Sequence, residues 1–317
     1  MKDRVVVTGG AGFIGSHLVQ ALAAQGRVVR VLDNFSTGRR GNLAGIKPAP
    51  DVVEADLADA DAVSGAIAGA EVVFHLGALP SVQRSVEDPA QTHAACATGT
   101  LHVLDAARRG RVRRVVYAAS SSAYGGLTGP GGQREDGPVR PKSPYAAAKL
   151  AGEMYAQAFT ATYGLETVSL RFFNIFGPRQ QAGSPYSGVI AVFIAAMSSG
   201  RAPLVHGDGL QSRDFTYVDN AVQAMLKAAH APGVSGKVFN VGTGRSVTLL
   251  DLVSVLNGLL GTQLRPQHGP ARAGDVRDSL ANIDHTRREL GFEPAVSFEE
   301  GVKRTLQWFR EGGGAGA

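Results

Sequence analysis

The chain has 317 residues, with 32 Lys and Arg against 27 Asp and Glu for a net charge of +5, and 44% of its residues are hydrophobic. That is globular composition, and the longest unbroken apolar run, Val189 to Met197, is too short to span a bilayer. A single cysteine, Cys96, excludes an intramolecular disulfide and a multi-cysteine metal site, and it fits a reducing cytoplasm.

Met-Lys-Asp-Arg leads straight into Val5-Val6-Val7 without the long apolar stretch of a signal peptide, so export is not expected. In chain order, Arg4 to Thr8, Val28 to Asp33, Val52 to Ala55, Val72 to Leu76, Val115 to Ala119 and Thr167 to Phe173 read as strands. Gly15 to Gln25 and Ala90 to Arg109 lie between them and are long enough for crossover helices. Strands alternating with helices imply a parallel, doubly wound α/β sheet. Several of the strands are apolar on both faces, as a sheet covered on each side requires. After Phe173 the character changes. The segment Gly177 to Gly188 is rich in Gly, Pro, Gln and Ser, and an amphipathic helix is expected at Phe298 to Arg310. These features predict a second, smaller lobe, while Phe215 to Val241 reads as chain returning to the main sheet. The Gly/Ala tail from Gly312 is expected to be disordered.

The surplus of positive charge raises the question of nucleic acid. No basic block exceeds Arg39-Arg40 or the Arg111 to Arg114 cluster, so no nucleic-acid partner is expected. Gly9-Gly10-Ala11-Gly12-Phe13-Ile14-Gly15 follows a strand and opens a helix. Its Gly-x-x-Gly-x-x-Gly spacing brings backbone N–H groups to a pyrophosphate at the positive end of the helix. The second strand ends at Asp33, an acid placed to accept from ribose hydroxyls and to repel a 2'-phosphate, which selects NAD over NADP. Arg39 and Arg40 lie close enough to temper that choice. Asp56-Leu57 after the third strand would flank the adenine.

Ser143-Pro144-Tyr145-Ala146-Ala147-Ala148-Lys149 carries the chemistry. Ser143 suits an N-cap and Pro144 the first helical position, so Tyr145 and Lys149 share one helix face, with the ammonium leaning toward the phenol. A nearby ammonium, the positive helix end and an oxidised nicotinamide all push a phenol's pKa down. Ala119-Ser120-Ser121-Ser122-Ala123-Tyr124-Gly125 follows a strand whose C-terminal end opens at the same cleft, where a hydroxyl can pass a proton between substrate and Tyr145.

These segments, with Asp33-Asn34-Phe35-Ser36-Thr37-Gly38, His75-Leu76-Gly77-Ala78, Arg171 to Arg179, Gly207-Asp208-Gly209, Arg213-Asp214-Phe215 and Arg272 to Val276, make the chain resemble the extended short-chain dehydrogenase/reductases. Within that family it is most similar to the NAD-dependent nucleotide-sugar epimerases and dehydratases, from Val5 to about Trp308. The resemblance implies a Rossmann-like doubly wound sheet with a smaller C-terminal α/β substrate-binding domain. The NAD-binding part would take 1–174 and about 215–246, and the nucleotide-sugar-binding part about 175–214 and 247–311, with a flexible tail over 312–317. It implies Ser120, Tyr145 and Lys149 as catalytic residues. NAD would be held by Gly9, Gly12, Phe13, Ile14, Asp33, Asn34, Ser36, Thr37, Gly38, Asp56, Leu57, Leu76, Ala78 and Phe172, together with Tyr145 and Lys149. Asn174, Arg213 and Arg272 would contact the sugar diphosphate, and Asp275 the uridine ribose. Ser121, Ser122, Gln180, Gly188 and Ser279 would line the sugar pocket. No metal is implied.

Dehydratases of this family place Asp-Glu, and its decarboxylases a Glu, immediately after the catalytic hydroxyl residue or one further on. Here those positions are Ser121 and Ser122, which discounts both reactions and leaves C4 epimerisation of a UDP-hexose through a transient 4-keto sugar. UDP-glucuronate decarboxylation or nucleotide-sugar 4,6-dehydration is the alternative, and a catalytically silent NAD-binding regulator the remote one. Leu79 to Ser85 resembles the segment of epimerases acting on N-acetylated UDP-sugars, and Ser279 falls where enzymes restricted to UDP-glucose and UDP-galactose carry tyrosine. UDP-N-acetylglucosamine and UDP-N-acetylgalactosamine are therefore the expected pair, with UDP-glucose and UDP-galactose as further substrates. Two departures stand out: Gln83 replaces a proline of the N-acetyl subgroup, and Cys96-Ala97-Thr98-Gly99-Thr100 stands where the family writes Asn-Val-x-Gly-Thr, losing an amide brace. The resemblance also implies a homodimer, pairing the helices at Ala90 to Arg109 and Tyr145 to Thr162 in a four-helix bundle.

Overall fold

The computed structural model describes residues 4–126, 128–181, 183, 187–271 and 276–313. Six strands come first: β1 (Arg4–Thr8), β2 (Val28–Asp33), β3 (Asp51–Glu54), β4 (Val72–His75), β5 (Arg114–Ser120) and β6 (Glu166–Phe172). Eight more follow, all but β11 of two or three residues: β7 (Ile175–Phe176), β8 (Leu204–His206), β9 (Ser212–Arg213), β10 (Thr216–Tyr217), β11 (Lys237–Val241), β12 (Val247–Thr248), β13 (Gln267–Gly269) and β14 (Asp278–Ser279). The first six and β11 form a seven-stranded sheet in the order β11-β6-β5-β4-β1-β2-β3, and every pairing in it is parallel. The chain winds outward in one direction from β1 and in the other from β4. Their C-terminal ends meet at the point where open α/β sheets bind ligands.

The helices are α1 (Phe13–Ala24), α2 (Ala60–Ile67), α3 (Val82–Glu87), α4 (Pro89–His93), α5 (Gly99–Arg109), α6 (Pro144–Tyr163), α7 (Val189–Ser198), α8 (Val218–His230), α9 (Leu249–Leu260), α10 (Asp284–Leu290) and α11 (Phe298–Trp308). One face of the sheet buries Val5, Val7 and Phe74 against Leu18 of α1 and Met225 of α8. The other buries Val6 and Val73 against Val63 of α2, Leu104 of α5 and Phe159 of α6. Alternate residues of β1 thus enter different cores, so the strand is apolar throughout. Each fully buried Leu or Phe contributes about 1.5–3 kcal/mol. A third core joins Ile194 of α7, Leu252 of α9 and Val302 of α11 around Phe176 and Phe298. It packs beside short sheets β12-β9-β14, β10-β7 and β13-β8.

Two expected elements differ. The helix expected at Ala90 to Arg109 is interrupted: α4 ends at His93, a π-helical turn occupies Ala94–Thr98, and α5 begins at Gly99. Thr100 Oγ1 donates to the Cys96 carbonyl at 2.6 Å, a side-chain bond in the helical ladder at the site of the bulge. Of 215–241, β11 alone enters the main sheet; α8 covers that sheet's face, and β10 pairs with β7. Gly312 lies in a terminal turn, Phe309–Gly313, and residues 314–317 fall outside the described residues. Among the described residues, no helix is long and apolar enough to cross a membrane.

Candidate active site

At the C-terminal end of β1 the chain turns through the glycine loop. Gly9 takes a positive φ of 68°, and a Cβ on Gly15 would overlap the carbonyl oxygen of Gly9, so both positions require glycine. Gly12 is the N-cap of α1 and supplies no side-chain acceptor, which leaves the first-turn amides to an external anion. Asp33 is buried at the end of β2. Its carboxylate accepts from the Ala11 N–H at 2.9 Å and the Phe35 N–H at 2.9 Å, which ties the glycine loop to the next turn. Asn34 Nδ2 donates to Asp56 at 2.6 Å, linking the loops after β2 and β3. This cradle fits an NAD diphosphate and ribose: close-approach backbone, a helix N-terminus and a carboxylate with lone pairs to spare.

The catalytic candidates come from β5 and α6. Ser143 accepts from the Ala146 N–H at 3.1 Å and Pro144 fills the first helical position, as their spacing predicts. Ser120, the last residue of β5, caps the short 3₁₀ turn Ser121–Tyr124 and accepts from the Ser122 hydroxyl at 2.8 Å. Burial pushes the Tyr145 phenol above its ordinary value, while a hydrogen bond with Ser120 works the other way. The sequence led us to expect a lowered phenol; within the protein alone, desolvation outweighs the hydrogen bond. Burial lowers Lys149 to about 8.

One cavity of about 1870 Å³ runs from the glycine loop to the smaller lobe. Its walls include Ser120, Tyr145 and Lys149, every residue expected at the cofactor, and Ser121, Ser122, Asn174, Gln180, Gly188, Arg213 and Ser279. Arg272 and Asp275 lie outside the described residues. Arg213 is held at the end of β9 by bonds from its guanidinium to the carbonyls of Ser212 at 2.8 Å and Arg277 at 3.1 Å. Ser279 sits beside it, because β14 pairs with β9 in the register Ser279 to Arg213. Asn174, at a positive φ of 38°, donates to the Asp214 carbonyl at 3.2 Å.

Residues 5–242 match the NAD dependent epimerase/dehydratase family. The chain belongs to that family. The UDP-glucose 4-epimerase of Mycolicibacterium smegmatis is 39% identical over 97% of this chain and 98% of its own. Among solved structures, the UDP-glucose 4-epimerase of Thermotoga maritima with UDP-glucose superposes with a TM-score of 0.93 at 36% identity, covering 98% of this chain and 99% of that one. The UDP-N-acetylglucosamine 4-epimerase of Methanobrevibacter ruminantium in complex with UDP-N-acetylmuramic acid gives 0.92 at 37%, covering 98% and 100%. The family's cofactor is NAD, and the chain is an NAD-dependent nucleotide-sugar epimerase.

The structure adds bracing residues at and around the cavity that spacing did not single out. The Pro178 carbonyl meets His17 Nε2 of α1 at 2.9 Å, Arg179 Nη2 donates to Gln20 of α1 at 2.5 Å, and Gln181 donates to the Thr37 carbonyl at 3.1 Å. The segment 178–181 therefore bridges α1 and the loop after β2. The sequence signal was present in Arg179-Gln180-Gln181 after Gly177-Pro178, but only tertiary structure shows what these side chains reach. Asp214 is a second case. Fully buried, it accepts from the Thr243 and Gly244 amides, the Thr243 hydroxyl and the Ala281 amide, and so ties β9 to the loops after β11 and β14.

Proposed function

We propose that the enzyme interconverts UDP-hexoses epimeric at C4, with UDP-N-acetylglucosamine and UDP-N-acetylgalactosamine as the principal pair and UDP-glucose and UDP-galactose as further substrates. One observation carries the choice of reaction: Ser120, Tyr145 and Lys149 line the cavity, and the residues after Ser120 that line it with them, Ser121 and Ser122, are hydroxyls. Neither can act as the additional general acid or base that water elimination or loss of a carboxylate requires at ordinary pH.

When bound along the glycine loop, NAD supplies a reversible hydride acceptor and donor. Tyr145 removes the proton of the 4-hydroxyl, with Ser120 relaying or orienting it, and Lys149 stabilises the phenolate by its charge. After the 4-keto sugar turns over, Tyr145 returns the proton to the 4-oxygen. No net redox follows, so the cofactor stays with the protein through each cycle. Arg213, with Arg272, would hold the diphosphate, because a guanidinium offers paired donors to phosphate oxygens. Asp275 would accept from the uridine ribose. The small Ser279 beside Arg213 leaves room for an acetamido group. These roles assign cofactor binding to 1–174 with about 215–246, and sugar binding to about 175–214 with 247–311.

The proposed assembly is a homodimer through α6 and the α4–α5 helix, supported by Met154 and Tyr155 on the outer surface of α6, 45% and 42% exposed. A cytoplasmic location is proposed with it. NMR of both UDP-sugar pairs, incubated without added cofactor, tests the substrate reading. Conversion of both acetamido sugars is expected; turnover of UDP-glucose with none of the acetamido pair would refute the N-acetyl assignment.

A further inference from the structure

Beneath the catalytic pair lies a buried polar cluster that the mechanism above does not use. His75, at the end of β4, is fully buried between two threonines: Nδ1 lies 2.7 Å from Thr8 Oγ1 and Nε2 lies 2.9 Å from Thr100 Oγ1. The protons can be placed from the network itself. Thr100 spends its one O–H on the Cys96 carbonyl, so Nε2 must donate to Thr100. Burial holds the imidazole pKa down to about 3, with the Lys149 charge acting the same way, so the ring is neutral and has one N–H. Nδ1 therefore accepts from the Thr8 hydroxyl, and Thr8 Oγ1 accepts from the Gly77 amide at 3.1 Å. The wire runs Gly77 N–H to Thr8 to His75 to Thr100 to the Cys96 carbonyl. It joins the end of β1, the cofactor-facing turn after β4 and the π-helical turn.

The His75 ring stacks on Tyr117 of β5, with centroids 5.5 Å apart and planes 26° apart. Lys149 Nζ lies 4.3 Å from the centroid of that same Tyr117 ring. The Tyr117 hydroxyl donates to the Lys149 carbonyl at 3.1 Å, so the ring is fixed to the lysine at both ends. α6 makes room for this. Gly152 stands inside a 20-residue helix, where glycine is less favourable than alanine, and a Cβ there would overlap the Tyr117 hydroxyl oxygen.

We infer that Tyr117 is a positioning residue for the reaction: its ring face seats the Lys149 ammonium beside Tyr145, and neutral His75 holds that ring in place. This rests on the reading of Lys149 as the electrostatic partner of Tyr145. A desolvated ammonium over an aromatic face is stabilised by the ring quadrupole. A charged His75 would repel Lys149, so its neutrality is part of the arrangement. Cys96 on the π turn and Glu153 on α6 also act on the Lys149 charge, and Tyr145 lines the same cavity. Glu153 is already paired with Arg171 at 2.6 Å.

The test keeps the shape of the ring and changes its charge distribution. In the NAD-loaded protein, Tyr117→Phe serves as the reference ring, and mono-, di- and pentafluorinated phenylalanines are introduced at the same position. Lys149 is titrated by NMR of its ε-carbon, which requires no turnover, alongside the pH dependence of epimerisation. The expected result is a stepwise fall in the Lys149 midpoint with fluorination, reaching about one pH unit, a tenfold change in proton affinity, for the pentafluorinated ring. The alkaline limb of the rate profile should move down with it. Gly152→Ala, which displaces the ring from the helix side, should lower the midpoint as well. A Lys149 midpoint unchanged by fluorination would overturn the inference and leave Tyr117 as packing. Were the wild-type protein to turn over no UDP-sugar while the midpoint still followed fluorination, the reaction assignment would fail and the seat would stand.

Discussion

Tyr145 and Lys149 show how much a single helical turn conveys. Ser143 as cap, Pro144 at the first position and the four-residue spacing were all readable in the sequence, and the structure reproduces each locally. Tyr145→Phe keeps the ring and loses the proton acceptor. Turnover should fall by at least ~10²-fold, while the purified protein retains its NAD by absorbance and chromatographic assay; retention of most activity would mean another base. Lys149 gives a pH prediction. Burial lowers it to about 8 against an ordinary value of 10.5, so the ammonium loses its proton as pH rises through about 8. Turnover should therefore decline on the alkaline side of that value. Lys149→Arg, always protonated, should be slower at its optimum yet show no decline there. The partners of these residues were not legible. His75, Tyr117 and Thr100 come from β4, β5 and α5, and nothing in their local spacing says that three distant segments converge beneath one lysine.

At the scale of elements, the sheet was legible because covered parallel strands are apolar on both faces, as β1 and β4 are. The interruption before α5 was not, since no Gly or Pro marks residues 94–98. The link between α6 and β6 was equally hidden. Arg171 and Glu153, 4% and 1% exposed, form a bidentate pair at 2.9 and 2.6 Å. Glu153 lies one turn beyond Lys149, so this pair fixes the rotation of the catalytic helix against the sheet. Breaking one side leaves an uncompensated buried charge: Glu153→Gln should cost about 3–5 kcal/mol in denaturant unfolding. Replacing both residues by apolar side chains of similar volume should recover most of that loss. Equal stability of the single variant and the wild type would show that the pair contributes little.

For the whole molecule, the decisive feature is one cavity shared by the cofactor loops of the main sheet and the β9–β14 edge of the smaller lobe. Its proposed cofactor end was suggested by Gly-x-x-Gly-x-x-Gly and Asp33, because phosphate and ribose recognition follows local turn geometry. Its proposed sugar end was suggested only by resemblance, since Arg213 and Ser279 become neighbours through strand pairing across 66 residues. The exposed apolar residues of α6 belong to the same scale. Sedimentation should show twice the chain mass, and Tyr155→Glu should shift the protein toward monomer; a stable wild-type monomer would remove the proposed helix-bundle dimer. The proposed epimerisation rests on an internal hydride transfer that leaves no net redox change. The most direct measurement starts from a UDP-N-acetylhexosamine deuterated at C4, incubated in ordinary water with protein and no added NAD. The expected product is the C4 epimer with its deuterium retained at C4; loss of the deuterium to solvent or a stable 4-keto-6-deoxy product would overturn the internal hydride transfer.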